Sequence, residues 1–114
     1  MSYTQLPTDY PISVTHGDRL ALTDELGFDV TGDTLTAIVY EDTPAGYTAA
    51  TAANPAPAAT LTVTVVTAAT GKVTVTLAAN TLKTLLLTKN YRWYLRSAAK
   101  DRAILAGVFA LRAP

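Results

Sequence analysis

Thr60-Leu-Thr-Val-Thr-Val-Val66 and Lys72-Val-Thr-Val-Thr-Leu77, joined through Thr70-Gly71, decide the fold of this 114-residue chain. In an extended backbone successive side chains point to opposite faces. Leu61, Val63 and Val65 therefore share one face of the first run, and Val73, Val75 and Leu77 one face of the second. Threonines occupy the opposite face of both. Thr and Val are stiff at χ1 and suit a pleated surface. With a turn at Thr70-Gly71, the two runs read as a hairpin with an apolar inner face and a Thr-rich outer face. Such a face needs a second layer to cover it.

The same period recurs outward from the hairpin. Asn90-Tyr-Arg-Trp-Tyr-Leu-Arg-Ser97 puts Tyr91, Trp93 and Leu95 on one side and Arg92, Tyr94 and Arg96 on the other. Arg102 to Arg112 reads as a final strand in which Gly107 marks a bulge or a close backbone approach. Before the hairpin, Ile12–His16, Arg19–Thr23 and Thr34–Tyr40 read as further strands, the last with Leu35, Ala37 and Val39 on one face. Asp24 to Gly32 is turn-rich, with Phe28 and Val30 tucked inwards. Ala78 to Leu87 breaks the alternation, and Asn80 is placed to cap a short helix of about two turns carrying Leu82, Leu85 and Leu86. The expectation is an all-β antiparallel β-sandwich of about seven strands with one short helix.

Two stretches fall outside this pattern. Residues 1–11 read as an extended N-terminal arm, because Pro7 and Pro11 disfavour regular pairing while Tyr3, Leu6 and Tyr10 supply something to bury. Residues 12–114 then form a single β-sandwich domain with a projecting loop at 43–59. That loop contains three prolines and is rich in Ala, a composition that cannot build a core.

Composition excludes several chemistries. The chain has no cysteine, so disulfides, thiolate metal sites and cysteine nucleophiles are absent. His16 is the lone histidine, and a single histidine at a strand end reads as structural or solvated. The glycines form no phosphate-cradling motif. Asp24, Glu25, Asp29 and Asp33 lack calcium-loop spacing and read as turn and capping residues. No catalytic, metal or cofactor site is expected, and the chain reads as non-enzymatic. No apolar run reaches the roughly 18 residues that span a bilayer, and the N-terminus lacks signal-peptide features, so no membrane association or export by that route is expected.

Net charge is zero but unevenly placed. Eight of nine acids lie at or before Asp42, and eight of nine bases at or after Lys72. Either strand pairing brings the two halves together, or an acidic and a basic face dock neighbouring copies. Tyr94 flanked by Arg92 and Arg96 reads as a protein-contact face, since Tyr and Arg favour interfaces. Nucleic acid is not expected as a partner.

The order of motifs resembles that of the immunoglobulin-like domains of tailed-phage virion proteins, similar to the baseplate upper protein N-terminal domain family. The resemblance lies in Gly17-Asp18, in Phe28 to Gly32 leading into Leu35 to Tyr40, in Gly71 to Leu77 followed by Ala79-Asn-Thr-Leu82, in Asn90 to Arg96, and in Ile104 to Leu111. It implies a structural virion protein: a capsid decoration or cement protein, or a neck, tail or fibre adaptor. Its partners would be other virion proteins and further copies of itself, assembled in the host cytoplasm. The expected contact residues are Tyr3, Leu6, Tyr10, Tyr47, Arg92, Tyr94 and Arg96. The alternative is a carbohydrate- or host-surface-binding β-sandwich module using exposed Tyr40, Tyr47 or Tyr94.

Overall fold

The computed structural model describes residues 8–43 and 58–114; Tyr3, Leu6, Tyr47 and most of the 43–59 loop lie outside the described residues. The elements run β1 (Thr8–Asp9), β2 (Ile12–Thr15), β3 (Leu20–Glu25), β4 (Leu35–Glu41), β5 (Ala59–Thr67), β6 (Lys72–Leu77), a short helix α1 (Ala79–Leu82), β7 (Tyr91–Ser97) and β8 (Arg102–Arg112). One layer pairs β8, β7, β4 and the start of β5, with β1 and β2 on the outer edge of β8. The other pairs the rest of β5 with β6 and β3. Strand β5 passes between them: Ala59–Leu61 pair with β4, and Thr62 onward pairs with β6. This is an all-β, immunoglobulin-like sandwich with one short helix.

The core forms where the period-two stripes meet. Leu20 lies opposite Leu77, and Leu22, Val75 and Val63 share a row. Facing them are the rows Leu61–Ala37–Leu95–Leu105 and Tyr91–Phe109. Trp93, Leu95, Val39, Val73 and Val75 are wholly buried. Each such aliphatic side chain contributes about 1.5–3 kcal/mol through loss of apolar contact with water. Val65 does not join this dry layer; it is 42% exposed. Its row is Val65–Val73–Asp24, beside a bulge between Val65 and Thr67, where β5 has already parted from β4.

In the described part of the N-terminal arm the expectation of irregular backbone fails at Thr8–Asp9, which pair regularly with β8, while Ile12–Thr15 is the strand that the alternation predicts. Thr8 and Asp9 run parallel to Leu105 and Ala106, and Ile12–Thr15 run parallel to Phe109–Arg112. Tyr10 donates its N–H to the Ala106 carbonyl at 2.9 Å. The chain crosses Gly107 at Tyr10-Pro11. A Cβ on Gly107 would sit 2.7 Å from the Tyr10 carbonyl oxygen. That is the close approach its position in the final strand suggests.

Helix α1 is one turn rather than two. Ala78 starts it, and Asn80 lies inside it instead of capping it. Leu82 and Leu85 are buried, whereas Leu86 is half exposed. The Leu86 N–H donates to the Tyr91 hydroxyl at 3.0 Å. A tyrosine at the start of this strand bonding back to the preceding loop is a tyrosine corner, a feature of immunoglobulin-like sandwiches.

Candidate interaction surface

Alternation along β7 sends Tyr91, Trp93 and Leu95 into the core and leaves Arg92, Tyr94 and Arg96 on the outer face, all partly exposed. The pairing register extends this stripe sideways. Ile38, Tyr94 and Ala106 form one row, Tyr40, Arg92 and Val108 the next, and Thr36, Arg96 and Ala103 a third. Tyr40 and Tyr94 pack as a tilted ring pair with centroids 6.0 Å apart. Val108 is 47% exposed. The three β7 contact residues expected from the sequence therefore share one surface. Its centre is aromatic and apolar, and guanidinium groups lie on either side of it.

Strand β4 is buried on both faces. Ala37 and Val39 enter the main core, while Ile38 and Tyr40 form a second small cluster with Tyr94. Tyr40, read from the sequence as an exposed ring, is thus buried. Strict alternation hides this. The uninterrupted apolar run Ala37-Ile-Val-Tyr40 is the signal of a two-sided strand that could have found it. At one end of the surface a groove of about 330 Å3 opens, lined by Asp42, Leu87, Lys89, Val108 and Leu111 among others.

Tyr10 serves the interior as well. Its ring meets Trp93 edge-on at 6.0 Å, and its carbonyl accepts the indole N–H at 2.7 Å. The structure does not bring Tyr10 together with the β7 stripe: its backbone lies on the far edge of β8.

Asp24 and Glu25, expected in a turn, instead belong to β3, which runs on in regular register to pair them with Val73 and Lys72. Asp29 and Asp33 do hold turns. Asp29 accepts the Thr31 N–H at 2.8 Å and the Thr31 hydroxyl at 2.6 Å. The hydroxyl bond first, then the backbone bond, hold its carboxyl below the usual carboxylate range. Asp33 accepts the hydroxyl of the fully buried Ser97 and the Ala99 N–H, which fastens the β7–β8 turn. Ser97 has no nucleophile context in the sequence; its place in the inward period-two register of β7 is the sign of its burial. His16 Nε2 lies 3.0 Å from the Leu85 carbonyl and so ties the end of β2 to the loop after α1.

Two of the N-terminal acids meet C-terminal bases through folding. Glu41 pairs with Lys89 at 2.7 Å, and this contact raises the lysine above its ordinary value. Glu25 stands opposite Lys72 across β3 and β6. Arg96 is bound to Asp101 at 2.6 Å, leaving Arg92 the cation of the stripe with no ion pair among the described residues. Among those residues no group of three or more His, Asp or Glu side chains is arranged to hold a metal ion.

No family model and no curated protein matches the chain. One similar solved structure is a nucleoside hydrolase-related hypothetical protein from Saccharophagus degradans that is associated with carbohydrate metabolism. The two are 12% identical with a TM-score of 0.31, over 96% of this chain and 23% of the other. This chain spans under a quarter of that structure's length, and a likeness this low carries no argument about activity.

Proposed function

We propose that this chain is a non-enzymatic assembly module of a tailed-phage virion, a decoration or cement protein or a neck, tail or fibre adaptor, that works through protein–protein contacts. The observation that carries the reading is the outer stripe of β7. Tyr94 sits half-buried between Arg92 and Arg96, over the buried pair Ile38 and Tyr40 and beside the exposed Val108. Buried aromatics ringed by arginine are the composition of interface centres, where desolvated Tyr and Arg carry most of the binding energy. A rigid sheet beneath them lowers the ordering cost of docking.

The engagement of polar groups in turns supports the non-enzymatic part. The one histidine is tied to Leu85, and Asp29 and Asp33 are fixed on turn hydrogen bonds. The virion part rests on the order of sequence motifs. Density-gradient separation of particles from cells that make this chain tests it. The chain is expected to band with intact particles at a fixed ratio to the major structural protein. A chain found wholly in the soluble fraction overturns the proposal.

A further inference from the structure

Strand β3 is an open edge. It pairs with β6 on one side, and among the described residues no strand pairs with the other. The other open edge in that layer, β5 beyond Leu61, is broken by the bulge at Val66, whereas β3 pairs regularly over six residues. An edge of this length presents a row of unpaired backbone donors and acceptors, which natural sheets usually blunt or use.

The charges flanking β3 select a partner. We infer that β3 pairs antiparallel with β3 of a second copy, about a twofold axis through Leu22. In one continuous sheet, directly opposed residues must lie on the same face. With the axis at Leu22, Ala21 meets Thr23 of the second copy and Leu20 meets Asp24. Arg19 meets Glu25, and the symmetry repeats that opposite-charge pair at the other end. Arg19 and Glu25 are both exposed, and neither has an ion pair among the described residues. Lys72, already opposite Glu25 on β6, extends the row so that positive, negative and positive charges alternate across the junction.

Neighbouring registers lack this match. Moving the axis to Ala21 sets Arg19 against Thr23 of the second copy and parts it from Glu25. Moving it to Thr23 leaves Arg19 and Glu25 without each other. Opposite charges directly across a strand pair stabilise it and like charges destabilise it, so the leucine-centred register is the one the sequence favours. Twofold closure also leaves no β3 edge free for further growth.

This inference deepens the assembly reading and rests on it. A single paired edge is smaller than a standard interface, so the dimer is weak in free solution and gains from the high local concentration in an assembly. Sedimentation equilibrium of the wild type, Arg19→Glu, Glu25→Arg and the double reversal, at concentrations up to about 1 mM, tests it. The wild type is expected to dimerise reversibly. Each single reversal is expected to raise the dissociation constant about tenfold, and the double reversal to restore it to within about threefold. A wild type that stays monomeric throughout, single reversals without effect, or a double reversal no better than either single overturns the β3 dimer. Particle banding separates the two claims: a strictly monomeric chain that still bands with particles removes the dimer and keeps the assembly reading.

Discussion

Trp93 on β7 donates its indole N–H to the backbone carbonyl of Tyr10, 2.7 Å away and 83 residues distant in sequence. The indole is wholly buried, so its N–H needs an acceptor. The acceptor comes from the point where the N-terminal segment breaks between β1 and β2. The tryptophan that fills the core thus also fastens the first described residues to it. Trp93→Phe keeps an aromatic ring but removes the donor and part of the volume. It is expected to destabilise by about 1–3 kcal/mol, measured by urea unfolding. An unchanged midpoint would show that the bond contributes nothing.

Gly107 lies directly opposite Trp93 in the β7–β8 pair. Adding one methyl group at Gly107 forces the Tyr10 carbonyl aside, because backbone rather than a movable side chain occupies the space. Gly107→Ala is expected to lower stability by about 1–3 kcal/mol. It should also raise amide exchange at Thr8–Asp9, readable by hydrogen-exchange mass spectrometry.

Acid pH should loosen the β7–β8 turn through Asp33. Partial desolvation pushes its carboxyl up, but the hydrogen bond from the Ser97 hydroxyl and then that from the Ala99 N–H outweigh this and hold it below its ordinary value. Its folded value is below its unfolded one. The stabilisation is therefore full above the unfolded carboxylate value of about 3.9 and is lost as pH falls through the folded value. Asp33→Ala is expected to cost about 1–2 kcal/mol at neutral pH, by depriving buried Ser97 of its acceptor. It should also flatten the fall in melting temperature between neutral and strongly acid pH. A variant with the wild-type acid profile would remove Asp33 from that role.

Arg92 tests the contact surface without touching the core. Its side chain is partly exposed on the outer face of β7, with no ion pair among the described residues to lose. Arg92→Glu is expected to change stability by under about 0.5 kcal/mol. It should reduce incorporation into particles at least tenfold, because it reverses the charge beside Tyr94. Full incorporation of the reversed variant would move the contact elsewhere.

The inner stripes were legible because one wet face and one dry face impose period two, as in Val73/Val75/Leu77 and Tyr91/Trp93/Leu95. The same assumption misplaced Tyr40, since β4 is covered on both sides and alternation cannot show a second cover. It also misplaced Val65, whose exposure depends on where β5 leaves β4, and the pattern carries no information on sheet switching. Thr8–Asp9 pairing was hidden by its flanking prolines, which cannot donate but do not stop their neighbours from doing so. The β7 stripe was readable in full, because Arg92, Tyr94 and Arg96 alternate with three strong core formers. The turn roles of Asp29 and Asp33 were readable too, though Ser97 as the buried partner of Asp33 was not.

Electron microscopy of the native assembly, at a resolution that separates strands, tests the central claim most directly. The outer face of β7 is expected against a neighbouring subunit at symmetry-repeated positions, with Tyr94 covered and Trp93 enclosed in its own domain. A particle lacking the chain, or one that leaves Arg92 and Tyr94 facing open solvent, would contradict it.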